Sequence, residues 1–507
     1  MSSTYFDSRL ASCPRAPSNP ASATFVLTEG GKEANKLSWG SSREARGASE
    51  EVRTLRGKKR KTTKAVIRSL ATLLLAVGLS GCSIFPFGTR ANEGPTTVLK
   101  PTRATTRITL SDLPNGVFVG IAMSGGGSRA ANFSTAILFE LEELGFLRTV
   151  SAISSVSGSS LAAAYYGLGD DPKRWNRKKV RELLLTDFQT QWIARWFLPH
   201  NIVRYWLTDF DRSDIMKAVF DNVLFEGKTF GDMPKAGPKI LINATSLTEE
   251  RGFLFTDEAF ERLNSRLDTY PVSHAVMASG AFPGAFHNVT LEDYSSPDSY
   301  MHLFDGGPSD NLGIETLLDI IRKLYDREDG KGPRGCFLFI VDAFPFERGK
   351  GRHERDTRKA LDFIVDDNVL DSADVLLSLR RQDVLREVGF TRPDWIGKEP
   401  YQQFKVFPGK IGGPHCSAWH FTFQGLLSRT DLPPRAKGVG EVVNRISTQY
   451  RLHAPGPHTA QELQDRLYEA AHILVREDIT NRQKACLWFR DRGFTDLPCL
   501  EEGEPAR

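Results

Sequence analysis

A short apolar run that leads into three consecutive glycines restricts the fold of this chain more than any other feature. Residues 117–123 have the length and composition of a buried parallel strand, and they continue directly into the loop 124–129, Ser-Gly-Gly-Gly-Ser-Arg. Apolar residues at helical spacing follow the loop: Phe133, Ile137, Leu141 and Leu144. A strand, a glycine loop and a helix in this order predict an α/β fold in which free N–H groups at a helix N-terminus can bind an anion.

Two other interpretations of the glycine loop stay open at this point. A phosphate-binding loop is the first alternative, but the Gly-Lys-Ser or Gly-Lys-Thr that completes such a loop does not follow here. The dinucleotide-binding pattern is not met either, because Ala130 stands where that pattern has glycine. A tight structural turn without a ligand is the second alternative, because glycine is common wherever the backbone turns sharply.

A second strand, turn and helix follow about 25 residues later. Residues 150–153 predict the strand, residues 161–166 predict the helix, and the turn between them reads Ser-Ser-Val-Ser-Gly-Ser-Ser. A serine among small residues at such a turn is typical of a nucleophile elbow, which lifts one hydroxyl out of the sheet. Ser157 holds the central position, although Ser155 replaces the usual first glycine and the order of the last two small residues is reversed.

These two blocks, with three others further on, resemble the patatin-like phospholipase family, within the patatin and cytosolic phospholipase superfamily. The other blocks are residues 240–245, residues 278–284 and Asp305-Gly306-Gly307. The resemblance covers roughly 117–345 and implies a three-layer α/β/α fold with a central, mostly parallel sheet. It predicts a catalytic domain at 113–390 with a helical cap inserted at about 171–232, followed by a C-terminal extension, 391–507, of unknown role.

The resemblance also implies a mechanism, that of a serine acyl-ester hydrolase without a cofactor or metal. Asp305 would be the general base that accepts the proton of the nucleophile Ser157 directly, and an acyl-enzyme would follow. The substrate would be a phospholipid, a lysophospholipid or another lipid ester. The remaining predicted site residues are the oxyanion-hole glycines Gly125, Gly126 and Gly127, and the supporting residues Arg129, Gly158, Gly306 and Gly307. For Arg129, a role in steadying the loop, contact with a phosphate and a plain ion pair all stay open.

A competing chemistry and a competing class of protein stand beside the Ser-Asp dyad. His274, His287 and His302 lie near the family blocks, so a Ser-His-Asp triad is the main rival. An ordered acid and histidine late in the chain are not evident, and we interpret these histidines as structural or surface residues. No metal-ligand spacing occurs. A non-catalytic lipid-binding or envelope-assembly lipoprotein on the same scaffold is the second hypothesis.

The N-terminal part predicts export and a lipid anchor. Residues 53–81 join a basic start to a short apolar run, as in a signal peptide, and end in Leu-Ser-Gly before Cys82. This tetrapeptide resembles the bacterial lipobox, which implies acylation of Cys82. Ser83 beside it implies the bacterial outer membrane, facing the periplasm. A single membrane anchor and a nuclear-type basic patch are the alternatives.

Two segments around the predicted signal lack periodicity. Residues 82–112 predict a flexible tether, and residues 1–52 predict disorder. Because a signal peptide works poorly far inside a chain, we expect 1–52 to be a gene-model extension, with translation starting near Val52 or Leu55.

Composition limits the remaining partners. The net charge is +4, and part of it comes from the basic run near the N-terminus. The charge therefore gives no reason to expect a nucleic-acid partner. The sequence does not indicate an oligomeric state. Six cysteines lie far apart, and pairing of Cys486 with Cys499 stays open. Four tryptophans in the insertion suit either a lipid-contacting cap or a small hydrophobic core: Trp175, Trp192, Trp196 and Trp206.

Overall fold

The computed structural model describes residues 92–94, 106–169, 174–326, 332–345, 367–392, 396–409 and 413–500. Contacts divide the chain into Met1–Ser80 and Gly81–Arg507, and the fold below is that of the second unit. The predicted signal peptide, Cys82 and the segment 1–52 lie outside the described residues, as does most of the predicted tether.

A mostly parallel sheet of nine strands forms the centre of the described part. The strands are β1 (Val117–Met123), β2 (Ala152–Val156), β3 (Lys239–Ser246), β4 (Arg251–Leu254), β5 (Val289–Asp293), β6 (Ser299–Asp305), β7 (Gly335–Asp342), β8 (Tyr401–Lys405) and β9 (His415–Thr422). Their order is β5-β6-β3-β2-β1-β7-β9-β8, with β4 paired to β3 off this path. The four central pairings, from β3 to β9, are parallel, while β4, β5, β6 and β8 run antiparallel to their neighbours.

Helices cover both faces of the sheet. They are α1 (Gly127–Glu143), α2 (Ser159–Gly167), α3 (Arg177–Leu184), α4 (Phe188–Trp196), α5 (Pro199–Leu207), α6 (Arg212–Phe220), α7 (Asp257–Arg262), α8 (Val272–Ser279), α9 (Gly307–Asp310), α10 (Ile314–Tyr325), α11 (Asp367–Glu387), α12 (Phe423–Ser428), α13 (Ala436–Val443), α14 (Ala460–His472) and α15 (Ile479–Arg490).

Alternate residues of the central strands enter two separate cores. In β1, Val119 and Ile121 pack with Phe133 of α1 in the larger cluster. Phe118 of the same strand joins Leu317 of α10 in the smaller cluster on the other face. Successive side chains of a strand point to opposite faces, so an entirely apolar strand needs a helical layer on each side. This is the three-layer α/β/α architecture expected from the sequence.

The C-terminal segment is part of the same sheet and core. Strands β8 and β9, which lie within the predicted extension 391–507, continue the sheet beyond β7. Leu463 and Leu467 of α14 belong to the larger core together with residues of α1. The extension therefore contributes to the fold of the domain, and its helix α14 lies against α1.

Two disulfides lie among the described residues of this unit. Cys486 is bonded to Cys499, and Cys336 of β7 is bonded to Cys416, its register partner in β9. Among the described residues, no helix is both long enough and apolar enough to cross a bilayer.

Candidate active site

Ser157 occupies a sharp turn between the end of β2 and the start of α2. Its φ of +52° lies in the left-handed region, which is costly for a residue with a Cβ and is characteristic of functional sites. The Ser157 N–H donates to Ser279 Oγ at 2.8 Å, which fixes the turn. A Cβ on Gly158 would overlap the Gly127 carbonyl group, so only glycine permits this approach of the turn to the glycine loop. The local geometry is that of a nucleophile elbow.

Asp305 is brought to the same edge of the sheet by β6. Ala244 of β3 pairs with Asp305, and the neighbouring Asn243 pairs with Val156, which precedes the elbow. Two strand spacings, about 10 Å, separate the two backbones. The side chains span this gap, because the Ser157 side chain forms a hydrogen bond with the Asp305 carboxylate.

Burial gives Asp305 the character of a proton acceptor near neutral pH. Its side chain is only 4% exposed, and burial raises its pKa from an ordinary 3.8 to about 6. The Gly307 N–H, which donates to Oδ1 at 2.8 Å, and the Ser157 hydroxyl act in the opposite direction on the pKa. A general base is most effective when its pKa approaches the working pH.

Ser279 at the end of α8 bonds the backbone at Ser157 and at Gly306, the residue after Asp305, and it is not among the site residues predicted from the sequence. Its hydroxyl accepts the Ser157 N–H, and its carbonyl oxygen accepts the Gly306 N–H at 3.1 Å. The Ser279 hydroxyl also bonds Ser160 Oγ at 3.0 Å, and Ser160 in turn meets Ser155 Oγ at 3.1 Å. The serine-rich stretch around the elbow is thus a buried hydrogen-bond network. The only sequence signal for Ser279 is its place in the 278–284 block.

The glycine loop follows β1 and lies against the elbow. A Cβ on Gly125 would stand 3.3 Å from Ser157 Cβ. The Gly125 N–H donates to the Asn311 carbonyl oxygen at 3.1 Å, and the Ser128 N–H donates to the Gln449 carbonyl oxygen at 2.8 Å. Within the described residues, the N–H groups of Gly126 and Gly127 have no acceptor. They stand at the N-terminus of α1, where the helix dipole favours negative charge.

Arg129 fastens the C-terminal segment to this loop. Its side chain is 2% exposed. Nε donates to the Ala343 carbonyl oxygen at 2.9 Å, Nη1 donates to the Ile446 carbonyl oxygen, and Nη2 donates to Thr448 Oγ1 at 3.0 Å. Of the roles that the sequence left open, these contacts correspond to steadying the loop.

Tyr450 reaches the nucleophile from the same C-terminal segment. Its hydroxyl donates to the Gly280 carbonyl oxygen at 3.3 Å and also forms a hydrogen bond with the Ser157 side chain. Burial and the nearby Asp305 raise the pKa of Tyr450 well above its usual range, so its hydroxyl stays protonated. Tyr450 is not among the site residues predicted from the sequence, because it lies more than a hundred residues beyond the last family block.

The other predicted residues have structural positions around the pair. A Cβ on Gly306 would stand 2.6 Å from the Asn243 carbonyl oxygen, so glycine is required there. His302 bonds Thr290 Oγ1 at 3.0 Å on an exposed edge, and His287 is exposed. The groups that set the pKa of Asp305 include no histidine. Within the described ranges, no three His, Cys, Asp or Glu side chains are grouped so that they could hold a metal ion.

A serine on a strained turn, bonded to a buried carboxylate beside free N–H groups, is the arrangement of the serine hydrolases. Comparison with known families narrows this class. Residues 121–318 match the patatin-like phospholipase family. Residues 121–318 therefore form a patatin-like phospholipase domain, a kind of domain associated with lipid acyl hydrolysis, and the resemblance and the fold predicted from the sequence are confirmed.

Solved structures give more distant likenesses. Human GIVD cytosolic phospholipase A2 is 14% identical with a TM-score of 0.44, over 75% of this chain and 60% of that one. VipD from Legionella pneumophila is 12% identical with a TM-score of 0.28, over 75% and 71% of the two chains. ExoU of Pseudomonas aeruginosa, solved with SpcU, is 19% identical with a TM-score of 0.19, over 40% and 47%. The chain thus spans 60% of the human protein's length. No curated protein sequence matches it.

Proposed function

We propose that this protein is a serine acyl-ester hydrolase that cleaves phospholipids, lysophospholipids or related lipid esters through a Ser157–Asp305 dyad. The observation that carries the proposal is the hydrogen bond between the Ser157 side chain and a buried carboxylate whose pKa is about 6. The left-handed backbone of Ser157 and the patatin-like domain support it.

Asp305 carries the proton through both halves of the reaction. It accepts the Ser157 proton as Oγ attacks the ester carbonyl carbon, and it returns that proton to the alcohol oxygen when the ester C–O bond breaks. The acyl group is then held on Ser157. Asp305 next takes a proton from water, whose oxygen attacks the acyl carbon, and the free acid leaves as Ser157 regains its proton.

The oxyanion formed in each half-reaction is held by the N–H groups of Gly126 and Gly127. Each donor contributes about 3–4 kcal/mol to the transition state. The Gly125 N–H is bonded to Asn311, so Gly125 shapes the loop in this mechanism and does not donate to the oxyanion. Tyr450 donates to Gly280 and stays beside Ser157 as a neutral group.

We also propose that the enzyme is anchored through Cys82 in the bacterial envelope, at the outer membrane facing the periplasm. The lipobox resemblance supports this, and so do the two disulfides, since disulfides persist in oxidising compartments. Mass spectrometry of the membrane fraction should show a mature N-terminus at an acylated Cys82, and Cys82→Ser should release the protein. Peptides from residues 1–50 in the native precursor would contradict the downstream translation start.

The activity is tested by fatty-acid release from mixed phospholipid vesicles, comparing the full chain with Ser157→Ala and Asp305→Asn. The exposed Ser111→Ala serves as a matched control. We expect release by the wild type and the control, no release by either dyad variant, and a fluorophosphonate adduct on Ser157. Absence of both release and adduct would favour the lipid-binding or envelope-assembly alternative.

A further inference from the structure

Helices α4 and α5, with the turn Phe197-Leu198 between them, form a hairpin whose outer side is apolar. We name residues 188–207 the apolar hairpin. Seven of the thirteen large hydrophobic side chains that are exposed in the described part of the chain lie in it. Trp206 is 77% exposed and Phe197 is 67% exposed. Exposed apolar side chains are common singly, but a contiguous group of this kind marks an interaction surface.

Helix α5 has its polar and apolar sides reversed relative to a water-exposed helix. Ile202, Val203, Trp206 and Leu207 fall at helical spacing on one face, and all are exposed. Asn201 lies on the buried side, where its amide donates to the Arg195 carbonyl oxygen at 2.8 Å. A helix that faces water normally buries its apolar stripe, so the exposed stripe of α5 suits an apolar partner beyond the described residues.

The charge of the hairpin indicates which partner this is. Residues 193–207 include Arg195 and Arg204 but no Asp or Glu. The Arg204 guanidinium lies 3.9 Å from the centre of the Phe210 ring, a cation–π contact, and the residue is exposed. Arginine combined with exposed Trp, Phe and branched aliphatic residues is the composition of helices that lie in the interface of an anionic bilayer.

The base of the hairpin contacts residues of the catalytic site. The Gln189 N–H donates to the Tyr450 carbonyl oxygen at 3.1 Å. The Trp192 ring lies 4.9 Å from the Phe286 ring, which lies 6.1 Å from the Tyr450 ring. Because Tyr450 also bonds the Ser157 side chain, a hairpin fixed at a lipid surface would hold the site close to that surface.

We propose that the apolar hairpin inserts its outer face into the interface of an anionic phospholipid bilayer and thereby presents lipid to Ser157. The presentation step rests on the proposed hydrolytic function, whereas the insertion does not. The bilayer, rather than a protein, is the partner because the exposed face combines large apolar side chains with positive charge only.

The test compares the full-length wild type with the double variant Phe197→Ser/Trp206→Ser. The control is Ile479→Ser/Leu487→Ser, which removes two apolar side chains of 55% and 44% exposure from α15. Three quantities are measured: binding to phosphatidylglycerol-containing and neutral phosphatidylcholine vesicles, quenching of tryptophan fluorescence by brominated phospholipid, and hydrolysis of a water-soluble short-chain ester alongside vesicles. The single variant Trp206→Ser is measured as well. The difference in tryptophan quenching between it and the wild type is the contribution of Trp206, even when another part of the chain attaches the protein to the membrane.

The hairpin variant should keep wild-type hydrolysis of the soluble ester and lose vesicle hydrolysis on the order of 100-fold, about tenfold for each side chain removed. Quenching of Trp206 should be stronger with anionic vesicles, and the control should behave as wild type. Unquenched Trp206, or unchanged vesicle activity in the hairpin variant, would overturn the proposal.

A wild-type dimer that becomes monomeric in the hairpin variant, with vesicle hydrolysis unaltered, would assign the face to a second copy of the chain. A wild type that inserts Trp206 but cleaves neither ester would retain the insertion and refute the proposed hydrolysis.

Discussion

Replacement of Asp305 by Asn should stabilise the protein at pH 8 although it abolishes hydrolysis. Burial raises the pKa of Asp305 from 3.8 to about 6, so the folded protein holds an ionised carboxylate that its surroundings disfavour. A difference of about two pH units, at about 1.4 kcal/mol per unit, corresponds to about 3 kcal/mol in the free energy of unfolding. The asparagine carries no charge, and its oxygen can still accept the Gly307 N–H that now donates at 2.8 Å.

The pH dependence of this gain identifies its cause. Because the folded state binds the Asp305 proton more tightly than the unfolded state, this group's contribution to stability is fully present below pH 4. It is lost as the pH rises through about 6. Asparagine does not titrate. The difference between the variant and the wild type should therefore be small at pH 4, grow between pH 4 and pH 6, and level off above pH 6.

The assay is urea unfolding followed by tryptophan fluorescence at unit steps from pH 4 to pH 8. Ser157→Ala is the matched control, because it is also inactive but leaves the Asp305 carboxylate in place. It should show no stability gain at pH 8. A gain in Asp305→Asn that is equal at all pH values, or a loss of stability at pH 8, would refute the argument that burial of charge sets the pKa of Asp305.

Other consequences of the site can be measured separately. Hydrolysis of a soluble ester should rise with pH through about 6, because Asp305 must be ionised to accept a proton, and a flat pH–rate profile would exclude it as the base. Ser279→Ala should cost about 1–3 kcal/mol in urea unfolding and lower kcat more than KM, since the Ser157 N–H loses its acceptor; an unchanged kcat would contradict this positioning role. Arg129→Met should lower Tm and expose the C-terminal segment to limited proteolysis, and a wild-type cleavage pattern would contradict the fastening role of Arg129. Gly127→Ala should abolish activity, because φ is +57° and a Cβ would overlap the Gln449 carbonyl group; retained activity would show that the loop can shift.

Those parts of the fold and site that depend on neighbouring residues could be predicted from the sequence. The strand at 117–123 has the predicted bounds and the predicted helical residues 161–166 lie within α2, because each is a continuous apolar pattern. Strand β2 begins at Ala152 and not at Val150, because the Val150 N–H instead donates to the Leu147 carbonyl oxygen in the preceding turn. The elbow and the glycine loop could be predicted because each is a short contiguous motif.

Contacts between distant segments could not be predicted. Tyr450 meets Ser157 across almost 300 residues, and no local pattern marks it. The Cys336–Cys416 bond follows from the register of β7 and β9, which is set by the whole sheet. The insertion divides its tryptophans: Trp175 stacks on Phe139, whereas Trp206 is exposed. Periodicity alone does not distinguish the packed tryptophan from the exposed one, since both sides of α5 carry large side chains.

Arg129 fastens the C-terminal segment beside Ser157. The site can therefore be completed only after that segment has been synthesised. Ser157 and Asp305 leave the ribosome well before Tyr450 and the backbone at Gln449, which contacts the glycine loop. At about 5–20 residues per second, the 145 residues between Asp305 and Tyr450 take roughly 7–30 s. During that interval the nascent chain holds both members of the dyad without the segment that completes their surroundings. An unfinished copy of the chain therefore lacks the backbone contact between Gln449 and the glycine loop.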